Sequence, residues 1–119
     1  MKKQLKKNLI ERFSRQIVLK DIGILGQKKI LSAKVLVVGI GGLGCSAVEF
    51  LTRAGIGSLG IVDYDKVSLS NLHRQSLYEK SDVGKSKVLI VKKILRRINP
   101  HTKIQSYNLK LNNINFKKI

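Results

Sequence analysis

Lys34-Val-Leu-Val-Val-Gly-Ile-Gly-Gly-Leu-Gly44 is the stretch on which the fold turns. Its first half, Lys34 to Gly39, is a continuous apolar, β-branched run closed by glycine, the pattern of a parallel strand buried on both faces. Its second half, Gly39-Ile-Gly-Gly-Leu-Gly44, has the G-x-G-x-x-G spacing at a strand-to-helix junction. Glycine is needed there for a tight turn and for backbone to approach phosphate with no Cβ in the way. A helix is predicted from about Leu43, with Leu43, Ala47, Leu51 and Ala54 as its apolar stripe and Gly55 as its stop. Such a helix aims its free N–H groups and positive dipole end at an anion. Ser58-Leu-Gly-Ile-Val-Asp63 reads as a second buried strand ending in an acid. Asp63 lies 19 positions after Gly44, where a carboxylate accepts hydrogen bonds from ribose hydroxyls. NAD, FAD and ATP all fit this much of the pattern.

Downstream, Tyr64 to Asp82 is a polar loop, long for a compact domain and so a functional candidate. The spacing then predicts a helix over Lys85 to Ile98, with Val88, Val91, Leu95 and Ile98 inward and Lys92, Lys93, Arg96 and Arg97 in water. Asn99-Pro100 ends it, and Lys103 to Tyr107 reads as a third strand. Upstream, Leu9 to Leu19 reads as a short amphipathic helix on Ile10, Phe13 and Ile17. Gly23 and Gly26 follow, then a second short helix over Gln27 to Leu31. The order α-β-α-β-loop-α-β assigns the chain to the α/β class. It is the first half of a doubly wound, mainly parallel, Rossmann-like sheet with an N-terminal helical extension. The extension covers residues 1–33 and the nucleotide-binding domain residues 34–119, incomplete at its C-terminus.

The 119 residues are enough for one compact core, and 43% hydrophobic content with ten glycines and one proline describes a folded chain. No apolar run approaches the ~20 residues of a membrane span. The basic N-terminus is followed by Asn8-Leu-Ile-Glu-Arg12 rather than an apolar stretch, which argues against export and for a cytoplasmic location. Cys45 is the only cysteine, so this chain forms no internal disulfide and no zinc site of paired cysteines. The net charge of +17 is spread along the chain and comes with many Asn and Ile, as in a lysine-rich proteome. An acidic protein partner is the next reading, and nucleic acid the last.

Four blocks together resemble the ThiF/MoeB family, related to the activating enzymes of ubiquitin. They are Arg12-Phe-Ser-Arg-Gln-Ile17, the glycine loop Gly39 to Gly44, Asp63-Tyr-Asp65 with Ser70-Asn-Leu-His-Arg-Gln75, and Val83-Gly-Lys-Ser-Lys87. The likeness runs from about Glu11 to Pro100, and the Ser-Asn-Leu-x-Arg-Gln block is far more specific than the glycine loop alone. The resemblance is to an N-terminal part of the family's chain. It implies an ATP-dependent adenylyltransferase that joins the C-terminal glycine carboxylate of a ubiquitin-like sulfur-carrier protein to AMP, releasing pyrophosphate. The pathway would be molybdenum cofactor or thiamine synthesis, with a lean to the molybdopterin type.

Carried over by position, the resemblance makes Gly39, Gly41, Gly42 and Gly44 the phosphate turn, with Gly42 against the nucleotide and Asp63 on the ribose. Ser70, Asn71, Leu72, His73 and Arg74 would line the phosphate side, with Asn71 and Arg74 contacting phosphate oxygens. His73 occupies the variable slot of its block and reads as loop surface. Asp65 reads equally as a loop cap or as a contact to nucleotide. Lys87 would reach the phosphates from the start of its helix. Arg15 would act from the partner subunit of a homodimer. Arg74, Lys87 and Arg15 are thus the expected catalytic cations, and Cys45 a packed core thiol. The family's Mg2+ ligand, its zinc-binding cysteine pairs and its reactive cysteine lie in sequence beyond these 119 residues. The chain alone therefore reads as a fragment without activity of its own. A non-catalytic module binding nucleotide or carrier is the competing reading, and an NAD-dependent oxidoreductase the third.

Overall fold

The structure, a computed structural model, describes residues 4–119. Helices α1 (Lys7–Arg12), α2 (Ser14–Ile17) and α3 (Gly23–Ser32) precede strand β1 (Lys34–Val38). Then come α4 (Gly42–Ala54), β2 (Ser58–Val62), α5 (Lys87–Ile98) and β3 (Lys103–Tyr107). The strands make one parallel sheet in the order β1-β2-β3, with Lys34 opposite Ser58 and Ser58 opposite Lys103. Parallel neighbours need a crossover, and α4 and α5 provide the two. Val48 of α4 and Val88, Val91 and Leu95 of α5 meet Leu59, Ile61 and Ile104 of the sheet in one core. Each such side chain, fully buried, contributes about 1.5–3 kcal/mol. Val88, Val91 and Leu95 are the predicted inner stripe of α5, which starts two residues later than expected.

Four expectations change. First, β1 is not buried on both faces. Its residues alternate, and Leu36 and Val38 are 44% and 56% exposed. An apolar strand loses water only where something covers it, and among the described residues the helices cover a single face. Second, α4 buries Cys45, Val48 and Thr52 rather than the predicted stripe, and leaves Leu43 91% and Phe50 66% exposed. Third, the helix expected over Leu9 to Leu19 is two short ones that meet at Phe13 (φ −105°, ψ 14°). Phe13 is buried with its ring against Gly55, whereas Ile10 stays on the surface. The helix expected over Gln27 to Leu31 is also longer, starting at Gly23.

Side chains from these N-terminal helices satisfy the end of α4. Gln16 Nε2 donates to Gln27 Oε1 (2.7 Å) and to the Ala54 carbonyl (3.0 Å), and Gln27 Nε2 donates to the same carbonyl (3.1 Å). Helix-terminal carbonyls have no intrahelical donor, so these bonds fix α2 and α3 against the C-terminal end of α4. Asn99, just past α5, donates from Nδ2 to the Thr52 carbonyl (3.1 Å) and ties the two crossover helices together. No described helix is long and apolar enough to cross a membrane.

Candidate nucleotide site

The glycine turn follows β1 at the C-terminal edge of the sheet. Gly39 has φ +91°, a conformation L side chains rarely adopt, and its N–H donates to the Val62 carbonyl (2.7 Å). At Gly44 a Cβ would stand 1.9 Å from the Gly39 carbonyl oxygen, so this glycine lets the helix close onto the strand end. No side chain caps the start of α4, which leaves its first-turn N–H groups available to an anion.

Asp63 braces the turn. Its Oδ2 accepts from the Ile40 N–H (2.7 Å) and its Oδ1 from the Asp65 N–H (2.8 Å). A carboxylate offers about four acceptor positions, so roughly two remain for a ligand's hydroxyls. The Ile40 carbonyl accepts from the Tyr78 hydroxyl (2.8 Å), and the Cys45 thiol lies 3.7 Å from the same oxygen. Burial pushes the pKa of both groups up, so the buried Cys45 is a protonated packing thiol as read from sequence. The Ile40 backbone is thereby held through both its N–H and its carbonyl.

The loop after β2 folds back over the turn. Its first 3₁₀ turn, Leu69–Asn71, is closed by a reciprocal Ser68–Asn71 capping box, in which Asn71 Oδ1 accepts from the Ser68 N–H (3.0 Å). That oxygen is engaged, and Nδ2 is the group left to donate to a ligand. The Ser70 carbonyl accepts from Arg74 Nη1 (3.1 Å) and from His73 Nδ1 (3.0 Å). Leu72 packs against the core and anchors the segment, whereas Ser70, His73 and Arg74 are exposed. A Cβ on Gly42 would lie 3.8 Å from Arg74 Cγ, so Arg74 stands directly against the glycine turn.

Lys87 opens α5 and is 5% exposed. Its N–H donates to the Asp65 carbonyl (3.1 Å), and its Nζ lies 5.9 Å from the Tyr78 ring centroid. Among the described residues no carboxylate pairs with it. A buried cation at the positive end of a helix is costly unless an anion accompanies it. Asp65 links the two halves through its backbone, and its side chain is exposed.

Gln75 and Tyr78 are site residues that sequence reasoning left unassigned. Gln75 is buried, its Oε1 has no hydrogen-bond partner, and its Nε2 is 3.7 Å from where a Cβ on Gly41 would sit. The signal for Gln75 was present, since it closes the Ser-Asn-Leu-His-Arg-Gln block. Tyr78 had none. Arg15 is not in this cluster: Gln16, next to it, is bonded at Ala54, the far end of α4.

Cavity size does not mark the site. Cavities of about 890 and 290 Å3 lie over the uncovered sheet face and beside the strand starts, and neither includes the glycine turn. The residues with nucleotide-site chemistry gather at the turn instead. No group of three or more His, Cys, Asp or Glu able to hold a metal occurs among the described residues.

Parallel strands, crossover helices and this glycine turn define a Rossmann-like α/β unit. The ThiF family pattern matches residues 13–119, and the chain belongs to the ThiF family. Over 106 residues it is 48% identical to an Anopheles gambiae protein named adenylyltransferase and sulfurtransferase MOCS3, covering 89% of this chain and 24% of that protein. The Xenopus laevis protein of the same name is 48% identical over 103 residues, 87% of this chain and 23% of that one. The chain therefore spans about a quarter of the length of these relatives. Among solved structures, Escherichia coli tRNA N6-threonylcarbamoyladenosine dehydratase, TcdA, in complex with AMP superposes with a TM-score of 0.89 at 28% identity, over 98% of this chain and 46% of that one. Escherichia coli MccB with ATP gives 0.80 at 30% identity, over 91% and 33%.

Proposed function

We propose that this chain is the nucleotide-binding part of an ATP-dependent adenylyltransferase that activates the C-terminal glycine carboxylate of a ubiquitin-like sulfur-carrier protein. The observation that carries the reading is the buried Lys87, without a carboxylate partner among the described residues, beside the Tyr78 that bonds the glycine turn, whose helix start is uncapped and flanked by Arg74. The named activity of the 48%-identical relatives supports it, as do the AMP- and ATP-bound structural neighbours. In the reaction a carrier carboxylate oxygen bonds to the α-phosphorus. The bond from that phosphorus to the bridging oxygen breaks, and pyrophosphate leaves with the electron pair. No side-chain nucleophile is required. The protein's task is to hold two anions together, and Arg74, Lys87 and the N–H groups of α4 supply fixed positive charge for that. Asp63 keeps acceptor capacity for the ribose, and Asn71 Nδ2 a donor for phosphate.

Arg15 belongs to this machinery only from a second subunit. The axis of α4 from Gly42 to Ala54 is about 18 Å long, and α2 is fixed at its far end, out of side-chain reach of its own glycine turn. The exposed stripe of Leu43, Ala47 and Phe50 on α4 supports a self-associating surface and hence a homodimer. Molybdenum-cofactor synthesis is the pathway we assign, on the resemblance of the Asp63-to-Asn71 region to the molybdopterin type.

Replacing Arg74 by Ala is expected to weaken ATP at least tenfold more than AMP, because the lost charge faces the outer phosphates. Titration of both nucleotides by calorimetry reads the difference, and equal weakening contradicts the placement. A polypeptide of residues 1–119 alone is expected to bind ATP weakly and to give no ATP–pyrophosphate exchange with carrier and Mg2+. The glycine turn and Asp63 are local, but β1 has an open edge and one sheet face is bare. Exchange at the rate of a full-length relative would overturn that expectation.

A further inference from the structure

The cations spread along the sequence are gathered by the fold. All seven Asp and Glu lie before residue 83, and residues 83–119 carry ten Lys and Arg with no carboxylate side chain. Lys92, Lys93, Arg96 and Arg97 form two like-charged i,i+4 pairs on α5, an arrangement that weakens a helix standing alone. The sheet adds two more. Lys34 and Lys103 open β1 and β3 on either side of Ser58, so they stand about 10 Å apart across the strands. Arg96 lines the same cavity as both lysines. Lys34, Lys93, Arg96, Arg97 and Lys103 are all exposed, and among the described residues none pairs with a carboxylate. Arg12 extends the cluster, since its guanidinium donates to the Ile98 carbonyl at the end of α5. The acidic side chains of the molecule's other end, Asp63, Asp65, Glu79 and Asp82, sit on the loops that surround the glycine turn. Lys66, Arg74, Lys80, Lys85 and Lys87 share that end, so its charge is mixed, whereas the cluster at the strand starts is uniformly basic and separate from the nucleotide site.

We propose that the strand-start end of the sheet, built from Lys34, Lys93, Arg96, Arg97 and Lys103, binds the phosphate backbone of a nucleic-acid single strand. Repeated phosphates match a strip of unpaired cations, and Ser58 and Gln105 between them offer hydroxyl and amide donors to phosphate oxygens. Binding of this kind is sequence-tolerant and governed by salt. With five contacts to a single strand, affinity falls about a hundredfold between 50 and 200 mM salt, a log–log slope near −3.5.

The test is fluorescence anisotropy with a labelled, mixed-sequence single-stranded RNA of about 20 nucleotides, titrated across that salt range. Arg96→Gln with Lys103→Gln is expected to make the slope less negative by about 1.4, two contacts' worth. Lys66→Gln with Lys80→Gln, on the loop at the opposite end, removes the same charge and is expected to leave the slope unchanged. Equal effects of the two pairs would reduce the binding to net charge and overturn the surface. Absence of binding at 50 mM salt would overturn it outright. Displacement by polyglutamate as effective as by unlabelled RNA would assign the strip to an acidic protein instead.

Discussion

Mixing a protein that carries Arg15→Ala with one that carries Lys87→Ala is expected to restore activity that neither has alone. Arginines that enter a partner's phosphoryl-transfer site contribute on the order of 10³–10⁵ in rate, so each parent should be nearly inactive. The length of α4 separates Arg15 from the glycine turn of its own chain, and Gln16 and Gln27 hold α2 at that distance. In a mixed dimer the Arg15→Ala chain keeps Lys87 and receives Arg15 from its partner, so one of the two sites is whole. The other site carries both defects. Steady-state pyrophosphate release after mixing and re-equilibrating the dimers reads the recovery. Parents that stay inactive in every mixture would show that Arg15 does not act across subunits.

Gly44→Ala is expected to abolish the fold, and Gly42→Ala to spare the fold while weakening ATP. The two glycines are two residues apart, yet their surroundings differ sharply. A Cβ at Gly44 meets the Gly39 carbonyl oxygen at 1.9 Å, and neither partner is a flexible side chain. Relief requires moving β1 or the whole of α4, a cost of about 4 kcal/mol or more against a total stability of only about 5–15 kcal/mol. A Cβ at Gly42 meets Arg74 Cγ at 3.8 Å, an ordinary contact, and Ala suits a helix better than Gly. It would instead occupy the space a phosphate needs against the backbone. Thermal melts followed by circular dichroism, together with ATP titrations, separate the two effects. A folded Gly44→Ala protein, or unchanged ATP affinity in Gly42→Ala, would contradict this division of roles.

What could be read from sequence follows from how local each signal was. β1, β2 and α5 were legible because each has a largely apolar run or a single clean stripe, and β3, which has only Ile104 and Tyr107, from its place after the Asn99-Pro100 break. The face of α4 was not, because Leu43, Cys45, Ala47, Val48, Phe50 and Leu51 put apolar residues all round it. Periodicity cannot choose a face on such a helix; the sheet chose Cys45, Val48 and Thr52. The break at Phe13 was invisible for a related reason. It is set by a contact with Gly55, more than forty residues away, and not by any local breaker. At the candidate site, the glycines, Asp63 and the Ser70-to-Arg74 block are contiguous motifs and could be picked out from sequence, whereas Gln75 was passed over. The Tyr78 hydroxyl bonding the Ile40 carbonyl joins residues 38 positions apart, and no sequence pattern announces such a bond. The same holds for the basic end of the sheet, whose members are dispersed in sequence and adjacent only once three strands lie side by side.

The central claim is adenylation of a carrier, and ATP–pyrophosphate exchange tests it most directly. The protein should be taken at its natural full length, with Mg2+, labelled pyrophosphate and a ubiquitin-like sulfur carrier ending in glycine. Label is expected to enter ATP only when that carrier is present. Deleting its terminal glycine, or replacing Lys87 by Ala in the enzyme, should abolish exchange. Tight binding of ATP and carrier with no exchange would contradict the account and identify a binding module without turnover.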